Sequence, residues 1–111
     1  MAQVTASEVS RFLSECLKKK GLNVRKVVLF WSHAKGLAGE DSDIDIVIVS
    51  EDFRRKDIFK RAERTKKAEI KTIKKFMVPL DIIVMTPEEY ENGTSAVAAY
   101  AKDGEVIYSL S

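Results

Sequence analysis

Two carboxylates, Asp43 and Asp45, stand one residue apart in the segment Asp41-Ser42-Asp43-Ile44-Asp45-Ile46. On an extended strand alternate side chains share a face. Asp43 and Asp45 then project together with Cα atoms ~6.6 Å apart, while Ile44, Ile46 and Ile48 take the opposite face. Like charges this close repel, and they coexist only with a cation between them or with raised pKa values. Carboxylate oxygens with no histidine or cysteine beside them suit Mg²⁺ or Mn²⁺. A third carboxylate, Asp81, sits inside the otherwise apolar run Leu80-Asp81-Ile82-Ile83-Val84. A charged group in such a run is seldom fully buried unless it is paired. If the strand carrying Asp81 lies beside the strand carrying Asp45, three carboxylates converge on one surface. Three such groups hold two divalent ions about 4 Å apart, the clamp used in phosphoryl transfer. The competing uses are plainer. An isolated Asp-x-Asp also caps a turn and leaves its second acid solvated. The opening of an EF-hand loop is ruled out by Ile46, which stands where that loop needs glycine for its sharp turn.

The elements that must carry these groups follow from periodicity. Thr5 and Glu8 form a capping box, and Val9, Phe12, Leu13, Cys16 and Leu17 recur on one helical face. Lys18, Lys19 and Lys20 suit the negative end of that helix, and Gly21 suits a left-handed cap. Val27 to Trp31 reads as a strand covered on both faces, and Ile44 to Val49 as a second, β-branched strand. The intervening Ser32 to Ser42 has small residues, two glycines and no period, so it is a loop. Residues 54–75 carry helical spacing, with Phe59, Ala62, Ile70, Ile73 and Met77 roughly on one face and Lys66 interrupting it. Leu80 to Met85 is a third strand that opens after Pro79, where a missing N–H is tolerated. Thr86-Pro87-Glu88-Glu89 starts a further helix, Asn92-Gly93 breaks it, and Ser95 to Lys102 is a short helix. Glu105 to Leu110 closes the chain as an edge strand. The order predicts a two-layer α/β domain: a small mixed sheet with helices mainly on one face.

The chain has 111 residues, enough for one core, so a single domain over 1–111 is expected. Hydrophobic residues at 45% and charged residues at 32% exclude both a disordered chain and a membrane-embedded one. No signal-peptide pattern opens the sequence, and Cys16 stands alone, which excludes an intramolecular disulfide and a cysteine-based zinc site. A cytoplasmic protein is expected. The net charge of +2 conceals four blocks: +5 over residues 1–39, −6 over 40–52, +8 over 53–75 and −5 over 76–111. That segregation favours association with a charge-complementary surface, whether a second copy or a partner.

The residues Phe30-Trp31-Ser32-His33-Ala34-Lys35-Gly36, followed by Asp41-Ser42-Asp43-Ile44-Asp45-Ile46-Val47-Ile48-Val49, resemble the signature of the DNA polymerase beta-type nucleotidyltransferase superfamily. The resemblance is nearest to its small members, the minimal nucleotidyltransferases. Pro79-Leu80-Asp81-Ile82-Ile83-Val84 resembles the strand that bears the family's third carboxylate. Thr86-Pro87-Glu88-Glu89-Tyr90 resembles the helix after it, and Gly104-Glu105-Val106-Ile107-Tyr108 the closing strand. The resemblance implies the nucleotidyltransferase fold, with Asp43, Asp45 and Asp81 as ligands of two Mg²⁺ or Mn²⁺ ions. It makes Asp81 the group that activates the attacking hydroxyl, and places Ser32 and Lys35 against the nucleoside triphosphate. The implied reaction moves a nucleoside monophosphate onto a hydroxyl. The resemblance also implies a helical partner of the HEPN type, to which small members serve as antitoxins.

One position departs from the pattern: Trp31 stands where the family has glycine. Glycine there lets backbone approach a triphosphate closely. An indole either obstructs that approach, leaving a silent binding subunit or antitoxin, or turns inward as the end of the first strand. The basic stretch from Arg54 to Lys75 admits a nucleic-acid backbone, but no aromatic residues interleave on that face for base stacking. A solvated face or an acidic partner's docking site accounts for it as well, so nucleic acid is the less expected partner.

Overall fold

The structure, a computed structural model, describes residues 6–30, 44–92 and 105–109. Helix α1, Ala6–Lys19, leads into strand β1, Val24–Phe30. Strand β2, Ile44–Ser50, is followed by a single 3-10 turn, Glu51–Phe53, and by helix α2, Ile58–Phe76. Strand β3, Leu80–Met85, helix α3, Pro87–Asn92, and strand β4, Glu105–Ser109, complete the described elements. They form a four-stranded sheet in the order β3-β2-β1-β4. β1 pairs antiparallel with β2 and with β4, whereas β2 and β3 run parallel. The sheet is therefore mixed and the architecture is α+β, as the element order predicted.

The two faces of β2 sort its side chains. Ile46 and Ile48 are buried in the main core with Val27, Leu29 and the apolar face of α1: Val9, Leu13, Cys16 and Leu17. Val47 and Val49 take the other face, in a smaller cluster with Val28, Met85 and Tyr90 of α3. Helices α1 and α2 thus cover one face and α3 part of the second. Gly21 adopts φ 86°, the left-handed conformation that ends α1. At the head of α3 the capping box is complete: the Thr86 N–H donates to Glu89 Oε1 at 2.8 Å, and the Glu89 N–H donates to Thr86 Oγ1 at 3.1 Å.

Helix α2 differs from its sequence reading. It begins at Ile58, not at residue 54, because Asp57 caps it by accepting from the Lys60 N–H at 2.9 Å. Arg55, at φ 60°, breaks any continuation from the 3-10 turn. Its inward face is Thr65, Ala68 and Thr72, with Ile73 and Phe76 partly buried, while Phe59 and Met77 are 77% and 81% exposed. The threonines pass as core residues because their hydroxyls are satisfied within the helix. Thr72 Oγ1 donates to the Ala68 carbonyl at 2.7 Å. β1 extends over Val24–Phe30 and so starts three residues earlier than expected, in a stretch where Lys26 lays its ammonium over the Tyr90 ring, 4.7 Å from the centroid. The capping residue Thr5, the loop 31–43 and the short helix expected at Ser95 to Lys102 lie outside the described residues.

Candidate functional site

The parallel register of β2 and β3 places Asp45 directly opposite Asp81. Neighbouring strands lie about 4.8 Å apart, and side chains at paired positions leave the sheet on the same side. The two carboxylates therefore stand side by side at the beginning of both strands. They share a face with Val47, Val49, Ile83 and Met85, the floor of the smaller cluster. On its other flank Asp45 pairs with Phe30, the last residue of β1. Asp45 is half-buried and Asp81 exposed, so the pair opens outward from an apolar floor. A backbone bond between the two strand starts sets this placement. The Ile44 N–H donates to the Pro79 carbonyl at 3.2 Å, which sets the parallel ladder at its first rung and with it the opposition of the two acids.

Asp43, Ser32 and Lys35, with Trp31 and His33, lie outside the described residues. Asp43 immediately precedes β2, two residues before Asp45. Among the described residues no three His, Cys, Asp or Glu side chains gather into a metal-binding group. Asp45 and Asp81 are the two carboxylates that the register brings together. Cys16 is buried in the main core, far from any ligand role.

Glu69 is a neighbour that periodicity did not single out. It lines a cavity beside β3, and its carboxyl is raised above the usual range, first by burial and then by the charge of Asp81. No sequence signal marked Glu69, because the periodicity of α2 pointed to a different inward face. The second half of the acidic block is structural. Glu51 pairs with Arg25 and lies 3.7 Å from Arg54, while Asp52 accepts from the Asn23 N–H at 2.8 Å and lies 3.6 Å from Arg64. These acids tie the turn after β2 to the start of β1 and, through Arg64, to α2.

A second tie fixes α3. Arg54 embraces Glu88 through two hydrogen bonds, the Nε bond at 2.9 Å, and Arg61 donates to Glu89 Oε1 at 2.9 Å. Glu89, which burial by itself would push up, is held below its usual range by the Thr86 N–H and by Arg61. The Arg54 hydrogen bond holds the Glu88 carboxyl down, from 4.5 to about 2. A depressed folded-state pKa means that the pair's stabilisation is full above about pH 4.5 and is lost as pH falls toward 2. Melting temperatures of wild type and Glu88→Gln should therefore differ at pH 6 and converge by pH 2. Salt should narrow the gap at pH 6, since both side chains are exposed. Parallel curves across that range would show that the pair carries none of the acid sensitivity.

Two aspartates thus stand in register at the entry of the parallel strands of a mixed four-stranded sheet. Comparison with known proteins places this arrangement in a family. The nucleotidyltransferase domain model matches residues 9–106, and the chain belongs to that family. A solved structure from Sulfolobus solfataricus, assigned as a nucleotidyltransferase, shares the fold with a TM-score of 0.58 at 20% identity. The match covers 98% of this chain and 92% of that one. No curated protein matches the sequence significantly. No helix among the described residues is long and apolar enough to cross a membrane.

Proposed function

We propose that this chain transfers a nucleoside monophosphate from a nucleoside triphosphate to a hydroxyl acceptor, with a divalent metal. The observation that carries the reading is the register pair Asp45–Asp81 in a chain of the nucleotidyltransferase family. The donor chemistry fits a hard cation, because the acids that converge are carboxylates and Cys16 is sequestered in the core. Asp43, Asp45 and Asp81 would hold Mg²⁺ or Mn²⁺. When bound, the ions supply charge neutralisation at the phosphates and make the acceptor hydroxyl easier to deprotonate.

The chain's own groups account for the rest. Asp81 lies on the edge strand and is exposed, so an acceptor reaches it without opening the core. It takes the proton of the acceptor hydroxyl. The hydroxyl oxygen bonds to the α-phosphorus, the bond from that phosphorus to the bridging oxygen breaks, and pyrophosphate leaves with the electron pair. Ser32 and Lys35 bind the terminal phosphates. The test is incubation of the purified chain with MgCl₂, an α-labelled nucleoside triphosphate and candidate acceptors, reading pyrophosphate release and label transfer. Release that depends on metal supports the reading.

A second reading is favoured by Trp31 in the family's glycine position: a silent member that binds a HEPN-type partner as an antitoxin. Trp31→Gly separates the two. If the indole obstructs the triphosphate, the variant gains nucleotide affinity or turnover. If it packs in the core, the variant loses about 3 kcal/mol of stability and its folded fraction binds nucleotide as before.

A further inference from the structure

The outer edge of β3 opens on a cavity of about 560 Å³ between the strand and α2. Three consecutive strand residues, Ile82, Ile83 and Val84, line it, so the strand's backbone edge forms one wall. Ile58, Ala62 and Thr65 of α2 form the other. The first rung of the ladder decides where the backbone groups of β3 point. Since the Pro79 carbonyl accepts from Ile44, residues 81, 83 and 85 bond to β2, and the N–H and C=O groups of Ile82 and Val84 face the cavity. β3 ends the sheet order, and no other described residue bonds those groups. Half-buried backbone donors and acceptors at strand spacing are matched by one kind of ligand, an extended polypeptide.

We infer that this groove takes an extended segment of another protein as a fifth strand, with an acidic residue at the end of the groove marked by Lys56. Ile58, 73% exposed, and Ala62 offer an apolar wall to alternate side chains of such a segment. The charges set its polarity. Arg54, Arg61 and Arg64 each have a carboxylate partner, whereas Lys56, at the mouth of the groove, has none among the described residues. Glu69 lines the opposite end. A second copy of this chain fits less well. Edge-to-edge pairing of two β3 strands brings two α2 helices together, each with eight basic and two acidic residues. Strand addition of this kind draws affinity from the main chain and specificity from alternate side-chain pockets. It stands independently of the nucleotidyl-transfer reading.

Panning a random heptapeptide phage library on the full-length chain, then measuring the best synthetic peptide by fluorescence polarisation, tests it. The selected peptides should alternate apolar residues and carry Asp or Glu at one end. Val84→Pro removes an outward N–H from an edge strand, where proline is tolerated, and should weaken binding at least tenfold, with a modest fall in melting temperature because Val84 also packs against the main core. Lys56→Glu should switch the selected terminal residue from acidic to basic. That exchange of a surface charge remains decisive if Val84→Pro fails to fold. Absence of enrichment overturns the inference, as does binding indifferent to both variants. Self-association of the wild type that Val84→Pro abolishes also overturns it, by making a second copy the occupant.

Discussion

Asp45→Asn should abolish metal-dependent nucleotide binding and lower nucleotidyl transfer by at least ~10²–10³-fold, the usual scale for losing one preorganised charged group at a reacting centre. The variant should fold. Asn keeps the size and shape of the Asp45 side chain at its register position opposite Asp81, so the melting temperature should change little. Asp81→Asn should cost as much in rate, and the double variant little more than either alone, because groups that act as a unit are not additive. Calorimetry with Mg²⁺ and a nucleoside triphosphate, beside a turnover assay, reads both effects. Undiminished turnover in Asp45→Asn would sink the assignment. Loss of turnover together with unfolding would make the residue structural. These outcomes are separable from those of the β3 groove, whose variants leave both aspartates in place.

The largest stability effect should fall on Phe53. It is fully buried at the end of the 3-10 turn, in contact with the core beneath α1 and β2. Phe53→Ala should destabilise the domain by about 3–5 kcal/mol through lost burial and the cavity left behind. Phe59→Ala, six residues on, should change stability by less than about 0.5 kcal/mol, because that ring is 77% exposed. Urea denaturation of both variants checks the contrast. Equal losses would place Phe59 in a core contact that the fold does not show. The pair is informative because both phenylalanines stand beside charged residues in the same stretch, and composition treats them alike.

The sequence by itself determined the elements whose information is local. Strand β3 and the capping box at Thr86 and Glu89 follow from β-branched runs, proline placement and side-chain-to-backbone bonds over three residues. The apolar face of α1 follows from its period, since Val9, Leu13, Cys16 and Leu17 have few alternatives to burial. The spacing of Asp43 and Asp45 could be read along the chain, though Asp43 lies outside the described residues, and the register of Asp81 against Asp45 could be stated only as a condition. That β3 lies parallel to β2, with Asp81 opposite Asp45, depends on contacts between segments more than thirty residues apart. Helix α2 shows where periodicity fails. Phe59, Ile70 and Met77 suggested an inward stripe, but α2 docks with Thr65, Ala68 and Thr72 inward. Threonine satisfies its hydroxyl within the helix, and the small residues let α2 approach the layer closely. Packing against α1 and the clamp of Arg54 and Arg61 on α3 decided that rotation, and no window of α2 alone contains those partners.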